Sequence, residues 1–371
     1  MPRPLSQQVV VITGASTGIG RVSAVEFAKH GAAVVLAARN EAALQEVAGE
    51  IKSAGGRVHV VLTDVAEADQ VEHLADEAIR EFGRIDTWVN NAGFGHAAHV
   101  EDMKAEEITR LMQVNVCGLI FGTKAAITRM KPMGGGTIIN LGSVVSVRGI
   151  PIQSVYCASK HAIKGFTEAV RLEQERQKSG ITFTLICPAV INTPFYNHAK
   201  SDTGKKLTPF DPIYPPEVVA GSIVFAAENP RREIFVGGYG KLLDIMQRIS
   251  PKLVDFQLLQ IDDAEAKLQA DGPQEEGMDN MFTPAHDRGP VHGGYDDRSL
   301  SGSIYTKTFE WYPMLKPLAL GTAALGAFAV IRALTADPHP HTRVAQETGQ
   351  KLAKTAKATA KTARAKVKGW F

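Results

Sequence analysis

From Gln7 to about residue 190 the chain alternates short, almost unbroken apolar runs with longer helix-like stretches. The runs are Val9–Thr13, Ala33–Ala37, Arg57–Leu62, Ile85–Asn90, Thr137–Leu141 and Thr182–Ile186. They do not alternate in and out of water, which is how parallel strands read when both faces of the sheet are covered. Between them, Arg21–Lys29, Glu41–Ala54 and Gln70–Phe82 read as helices. A further strand is expected at Glu233–Val236, closing the sheet edge, followed by a helix over Lys241–Ile249. This alternation predicts an α/β fold built on a doubly wound parallel sheet, with one catalytic domain over residues 1–262.

Beyond residue 262 the pattern stops. Residues 263–310 are rich in Asp, Glu, Gly and Pro without a period, and read as a polar linker or loosely packed extension. A hydrophobic helix is expected over 311–335, around the uncharged stretch Pro317–Ile331, and then a basic tail over 336–371. As a helix those fifteen uncharged residues would measure about 22 Å, short of the roughly 30 Å hydrocarbon core.

Composition narrows the class. With 44% hydrophobic and 22% charged residues, the chain resembles an ordinary soluble globular protein. The three cysteines, Cys117, Cys157 and Cys187, form no C-x-x-C pair, which argues against a disulfide framework or zinc site and suits a reducing compartment. The N-terminus has no signal-peptide core, so the catalytic part is expected in the cytosol. Residues 351–371 carry seven Lys or Arg and no acid, and end in Trp370 and Phe371. That combination suits an anionic membrane surface, so 311–371 is expected to act as a peripheral or monotopic membrane address. A full span would separate the basic tail from the catalytic domain, against the positive-inside rule. No base-reading motif accompanies the lysines, and no nucleic acid is expected.

Candidate chemistry begins after the first strand, at Thr13-Gly14-Ala15-Ser16-Thr17-Gly18-Ile19-Gly20, which opens directly into a helix. Glycines there let the backbone turn sharply and approach a pyrophosphate on the helix N-terminus. The second strand ends at Ala38-Arg39-Asn40 without the acid that binds a ribose 2′-hydroxyl. The cation of Arg39 suits a 2′-phosphate instead, which favours NADP(H) over NAD(H). Farther on, Tyr156 and Lys160 stand four apart in a helical segment, on one face. An ammonium beside a phenol favours the phenolate and would lower its pKa.

Together these residues resemble the short-chain dehydrogenase/reductase family, with its Rossmann-type sheet. The likeness rests on the glycine loop, Asp64-Val65, Asn90-Asn91-Ala92-Gly93, Asn115, Ser143, Tyr156-Cys157-Ala158-Ser159-Lys160 and Pro188 to Thr193, in register over about residues 7–240. The resemblance implies Tyr156 as general acid/base, Lys160 as its tuner and nicotinamide-ribose ligand, Ser143 as the group gripping the substrate oxygen, and Asn115 as part of a water-linked relay. It also implies a cofactor site drawn from Gly14, Ser16, Gly18, Ile19, Gly20, Arg39, Asp64, Val65, Asn91, Ala92, Gly93, Tyr156, Lys160, Pro188, Ile191 and Thr193. Asp64 would meet the adenine edge, and Asn90 would be structural. Two departures are Ala189, where the family usually has glycine, and the long C-terminal extension.

Aromatic residues among Pro194–Pro216, at the family's substrate-lid position, point to a lipophilic carbonyl or alcohol, steroid-like, retinoid-like or fatty. They could equally pin the loop to the core. His96 and His99 are expected on the opposite wall, with no metal site. The family commonly pairs subunits, so a homo-oligomer is expected. A 3-oxoacyl-thioester reductase and a non-catalytic NADP(H)-binding sensor or scaffold are the competing readings.

Overall fold

A computed structural model describes residues 2–260, 278–285 and 287–312. Seven parallel strands form the central sheet: β1 (Val9–Thr13), β2 (Ala33–Ala38), β3 (Arg57–Leu62), β4 (Thr87–Asn90), β5 (Gly136–Leu141), β6 (Ile181–Pro188) and β7 (Glu233–Val236). Their order is β3-β2-β1-β4-β5-β6-β7.

The unbroken apolar runs are explained by two cores. Val10, Ile12, Val34 and Leu36 point to one face, under α1 (Gly18–Lys29), α2 (Glu41–Ser53) and a later helix over Pro216–Glu228. Val9, Val11, Val35 and Ala37 point to the other, under α3 (Ala68–Phe82), α4 (Ala105–Met112), α5 (Gly118–Met130) and α6 (Ser154–Arg176). Successive strand residues face opposite layers, so both must be apolar. Each such side chain contributes about 1.5–3 kcal/mol when fully buried. At the edge, β3 breaks the rule: Arg57 and Leu62 are exposed, because one side of that strand has no neighbour.

A buried polar chain crosses the second core. Trp88 Nε1 donates to Asn90 Oδ1 at 2.8 Å, Asn90 Nδ2 to Asn140 Oδ1 at 2.9 Å, and Asn140 Nδ2 to Thr167 Oγ1 at 2.9 Å. It ties β4 to β5 and to α6. Asn90 is thus engaged inside the sheet, away from the cleft.

Four more helices follow: α7 (Phe195–His198), α8 (Pro216–Glu228), α9 (Gly238–Ile249) and α10 (Pro251–Gln260). Residues 278–312, which by composition read as linker, lie against the catalytic core. Trp311 stacks on Phe225 of α8, with centroids 5.4 Å apart and rings 7° from parallel. Thr306 Oγ1 accepts the Gly237 N–H at 2.9 Å, just past β7. Residues 1–313 form one compact unit. Pro317–Ile331 and the basic tail lie outside the described residues. Among the described residues one helical run, Ala105–Met133, is long and apolar enough to cross a membrane, with half of its most apolar stretch buried. It includes α4 and α5, which pack in the core.

Candidate active site

The connections reverse direction between β1 and β4, and a crevice opens at the carboxyl ends of those strands, where ligands bind in such sheets. The glycine loop forms its floor. Gly14 has φ +64°, and a Cβ there would stand 2.8 Å from Ala92 Cα. Only glycine allows both. Asn91 Nδ2 donates to the carbonyls of Thr13 (2.9 Å) and Gly14 (3.0 Å), and Thr13 Oγ1 accepts the N–H groups of Asn91 and Ala92. The turns after β1 and β4 are therefore one stitched unit.

One continuous cleft runs from this floor to the first two turns of α6. Gly14, Ser16, Gly18 and Ile19 line it beside Arg39, Asp64 and Val65. Asn91, Ala92 and Gly93 follow, then Ser143, Tyr156 and Lys160, with Pro188, Ile191 and Thr193 closing the far end. Gly20 and Asn115 stand behind the lining. A side chain at Gly20 would meet Gly14 O at 2.1 Å. Asn115 sits in a π-helical turn, Gln113–Cys117, between α4 and α5. Its Oδ1 accepts the Phe94 N–H at 3.0 Å, while Nδ2 donates to Phe94 O at 3.0 Å and Ser159 Oγ at 3.3 Å. A Cβ on Gly93 would lie 3.1 Å from Asn115 Oδ1 and 3.9 Å from Lys160 Nζ, so all three share one small space.

Tyr156 and Ser143 line the same part of the cleft, and the Ser143 hydroxyl favours the ionised form of the phenol. Lys160 is buried, donates to Leu141 O at 2.9 Å, and has its Nζ 5.7 Å from the Tyr156 ring centre. The electrostatics differ from the expectation of a phenol loosened by its neighbour. Burial, reinforced by Cys157, pushes the Tyr156 phenol well above its ordinary value, and the nearby Ser143 hydroxyl only partly opposes this. Burial likewise pulls Lys160 down to about 8. Desolvation penalises both charged forms, and it is the largest cause of each shift.

Asp64 has a second occupation. Its Oδ2 accepts from Arg110 at 2.6 Å and its Oδ1 from the Ala66 N–H at 3.0 Å. Burial would raise its carboxyl, but these bonds and the nearby Arg39 hold it below its ordinary value. Sequence patterns pointed to Asp64 and missed Arg110, a helix-surface arginine like many others. Arg39 reaches the cleft and also donates to backbone carbonyls at Asn280, Met281 and Phe282. Ala189 is not left-handed: among described non-glycine residues only Ile152 and Lys178 have positive φ.

The lid aromatics do both things weighed for them. Phe195 packs on Tyr156 with centroids 5.3 Å apart, and Tyr196 meets Phe195 edge-on at 5.3 Å. They line the cleft with Phe210 and Ile150, and also pack on Ala97, Ile152, Ala199 and Leu207. Tyr239 and Leu243 of α9 form a wall that sequence patterns did not mark. Neither His96 nor His99 lines the cleft. His96 is fully buried, its Nε2 2.6 Å from Asp202 Oδ2. With Glu107 the two converge within 4.8 Å, but Lys200 Nζ ion-pairs with Asp202 and, at 2.9 Å, with Glu107, supplying positive charge there.

A doubly wound sheet with a glycine loop at its switch point and a Ser-Tyr-Lys group in one cleft defines an oxidoreductase that binds a nicotinamide dinucleotide. The chain belongs to the short chain dehydrogenase family, which it matches over residues 8–204. It is 38% identical over 309 residues to the uncharacterized oxidoreductase YxnA of Bacillus subtilis, covering 82% of this chain and 86% of that protein. A 3beta-hydroxysteroid dehydrogenase of Mediterraneibacter gnavus is 36% identical over 197 residues, 53% of this chain and 70% of its own length. The 17-beta-hydroxysteroid dehydrogenase 13 of Mus musculus is 33% identical over 247 residues, 66% and 79% respectively.

Proposed function

We propose that this protein is an NADP(H)-dependent reductase of lipophilic ketones or aldehydes, with Tyr156 as proton donor. The observation that carries the proposal is that Ser143, Tyr156 and Lys160 line one cleft with the glycine loop. When bound, the family's nicotinamide cofactor would supply the hydride for a carbonyl carbon. Tyr156, a phenol that keeps its proton at neutral pH, would donate it to the carbonyl oxygen, and an alcohol would result. Ser143 steadies the same oxygen as charge develops on it. Lys160, which donates to Leu141 O, would hold the nicotinamide ribose, and Asn115 fastens the Phe94 backbone.

NADP(H) is favoured by Arg39 at the end of β2, where no carboxylate would attract a bare ribose hydroxyl and Arg110 adds a second cation. A lipophilic substrate is favoured by Phe195, Tyr196, Phe210, Tyr239 and Leu243 around the cleft, and by relatives named as hydroxysteroid dehydrogenases. A membrane address in 311–371 and a homo-oligomer complete the proposal, resting on sequence and resemblance.

The test follows NADPH absorbance while steroid, retinoid-like and fatty carbonyls are offered beside 3-oxoacyl thioesters. Turnover of the first group, reduced about 10²–10⁴-fold by Tyr156→Phe, is expected. Turnover of thioesters alone would replace the substrate reading. An unaltered Tyr156→Phe rate would remove the proton donor.

A further inference from the structure

Residues 280–285 and 287–296 of the extension lie beside the cleft and bond to the glycine loop, the ends of β2 and β6, α4 and the lid. At one end the Arg39 guanidinium donates to Met281 O (3.4 Å) and Phe282 O (3.2 Å), and also to Asn280 O. Arg110 Nε adds Met281 O at 3.1 Å, and Asn40 Nδ2 reaches Ala285 O (3.3 Å) and Asp287 O (3.2 Å). In the middle, the Gly18 N–H donates to Pro290 O at 2.9 Å and Arg21 to Gly289 O at 2.7 Å. At the other end, Asn192 Oδ1 accepts the N–H groups of Gly293 (3.0 Å) and Tyr295 (3.2 Å). The lid joins through His198 Nε2, 2.5 Å from Asp287 Oδ2.

The segment covers the cleft without filling it, since Asn280, Pro284, Ala285 and Asp287 line the same space as Ser16, Arg39 and Asp64. Asn280 Oδ1 is buried and finds no hydrogen-bond partner among the described residues. A buried acceptor left without a donor is costly, so a ligand donor there is rewarded. An asparagine amide matches the amino group and ring nitrogen of adenine. Arg39, with five N–H groups in its fork, keeps donors beyond those given to the carbonyls.

We propose that residues 280–296 are a strap completing the nucleotide site. Asn280 reads the adenine, and the lid ion pair at Asp287 makes release of the nucleotide wait for the strap to open. This rests on the NADP(H) reading. It assigns cofactor-binding residues to a part of the chain beyond the stretch matched to the family.

The test loads the full chain with NADPH, chases with excess NADP⁺ and follows loss of bound-nicotinamide fluorescence by stopped flow. Gly289 has φ +73°, and a methyl there would stand 2.2 Å from Ser16 O, so Gly289→Ala must shift the strap. Its release rate should rise about tenfold, as should that of Asp287→Asn, each worth roughly one good charged contact. Asn280→Ala should weaken both NADPH and adenosine 2′,5′-bisphosphate, the adenosine-half probe. Cooperative melting of each variant checks folding, and the two milder substitutions stand in if Gly289→Ala does not fold. Wild-type release rates and affinities in all folded variants would overturn the strap and leave the function standing. Failure of the full chain to bind NADPH or NADH would overturn both.

Discussion

Tyr156 and Lys160 lie one turn apart on α6, and burial acts on them in opposite directions. The phenol holds its proton more tightly and the ammonium more loosely. With Lys160 drawn down to about 8, its ammonium form dominates below that pH and is lost above it. If that charged form is the one that holds the ribose, kcat/KM for reduction should fall as pH rises through about 8. In Lys160→Arg the fall should vanish from the accessible range, because a guanidinium stays charged. A wild-type profile flat from neutrality to the phenol's ordinary range would contradict this. Arg39 carries a second prediction. Arg39→Asp should shift the ratio of kcat/KM for NADPH over NADH downward by about tenfold or more, the share of one charged hydrogen bond. Steady-state kinetics with both nucleotides check it, and an unchanged ratio would dismiss the 2′-phosphate role.

Among the elements, the lid is held by a two-residue parallel ribbon, His96–Ala97 with Lys200–Ser201, and by the charges beneath it. Glu107 is 2% exposed and takes its countercharge from Lys200. Lys200→Met would leave that carboxylate buried near His96, with the exposed Lys104 as its remaining lysine among the described residues. A stability loss of about 3 kcal/mol, read by denaturant titration, and a raised KM are expected. A neutral substitution would show that the latch holds nothing. Elements differ in how plainly sequence announces them. The strands of the sheet, as far as Val236, are legible because a layer covers each face of the inner strands and most of their positions are apolar. The glycine loop and Tyr156 with Lys160 are legible because their chemistry needs particular side chains at fixed spacing. Residues 280–296 are not, because most of their bonds use backbone carbonyls, which every residue carries. Gly289 and Gly293, which approach Ser16 O and Thr193 O, are the trace they leave in sequence. Sequence also misjudged the phenol, since spacing places the ammonium correctly but carries no measure of how much water reaches either group.

For the whole molecule, the compact unit runs to residue 313, beyond the last strand of the sheet. Two truncations separate its parts. A chain ending at Tyr312 keeps the Trp311–Phe225 stack and should retain both turnover and slow nucleotide release. A chain ending at Gln260 keeps the sheet but should release NADPH quickly. Equal release from both would argue that nothing after α10 touches the nucleotide. Fractionation tests the remaining segment: the full chain should be found with membranes and be partly freed by high salt, whereas the Tyr312 truncation should not. A wholly soluble full chain would end the address idea. The placement of the strap has a further consequence for a protein made from its N-terminus. On a ribosome, the sheet can assemble while the roof over its crevice is still untranslated, so a nascent chain carrying the sheet alone would exchange dinucleotide freely until the strap emerges.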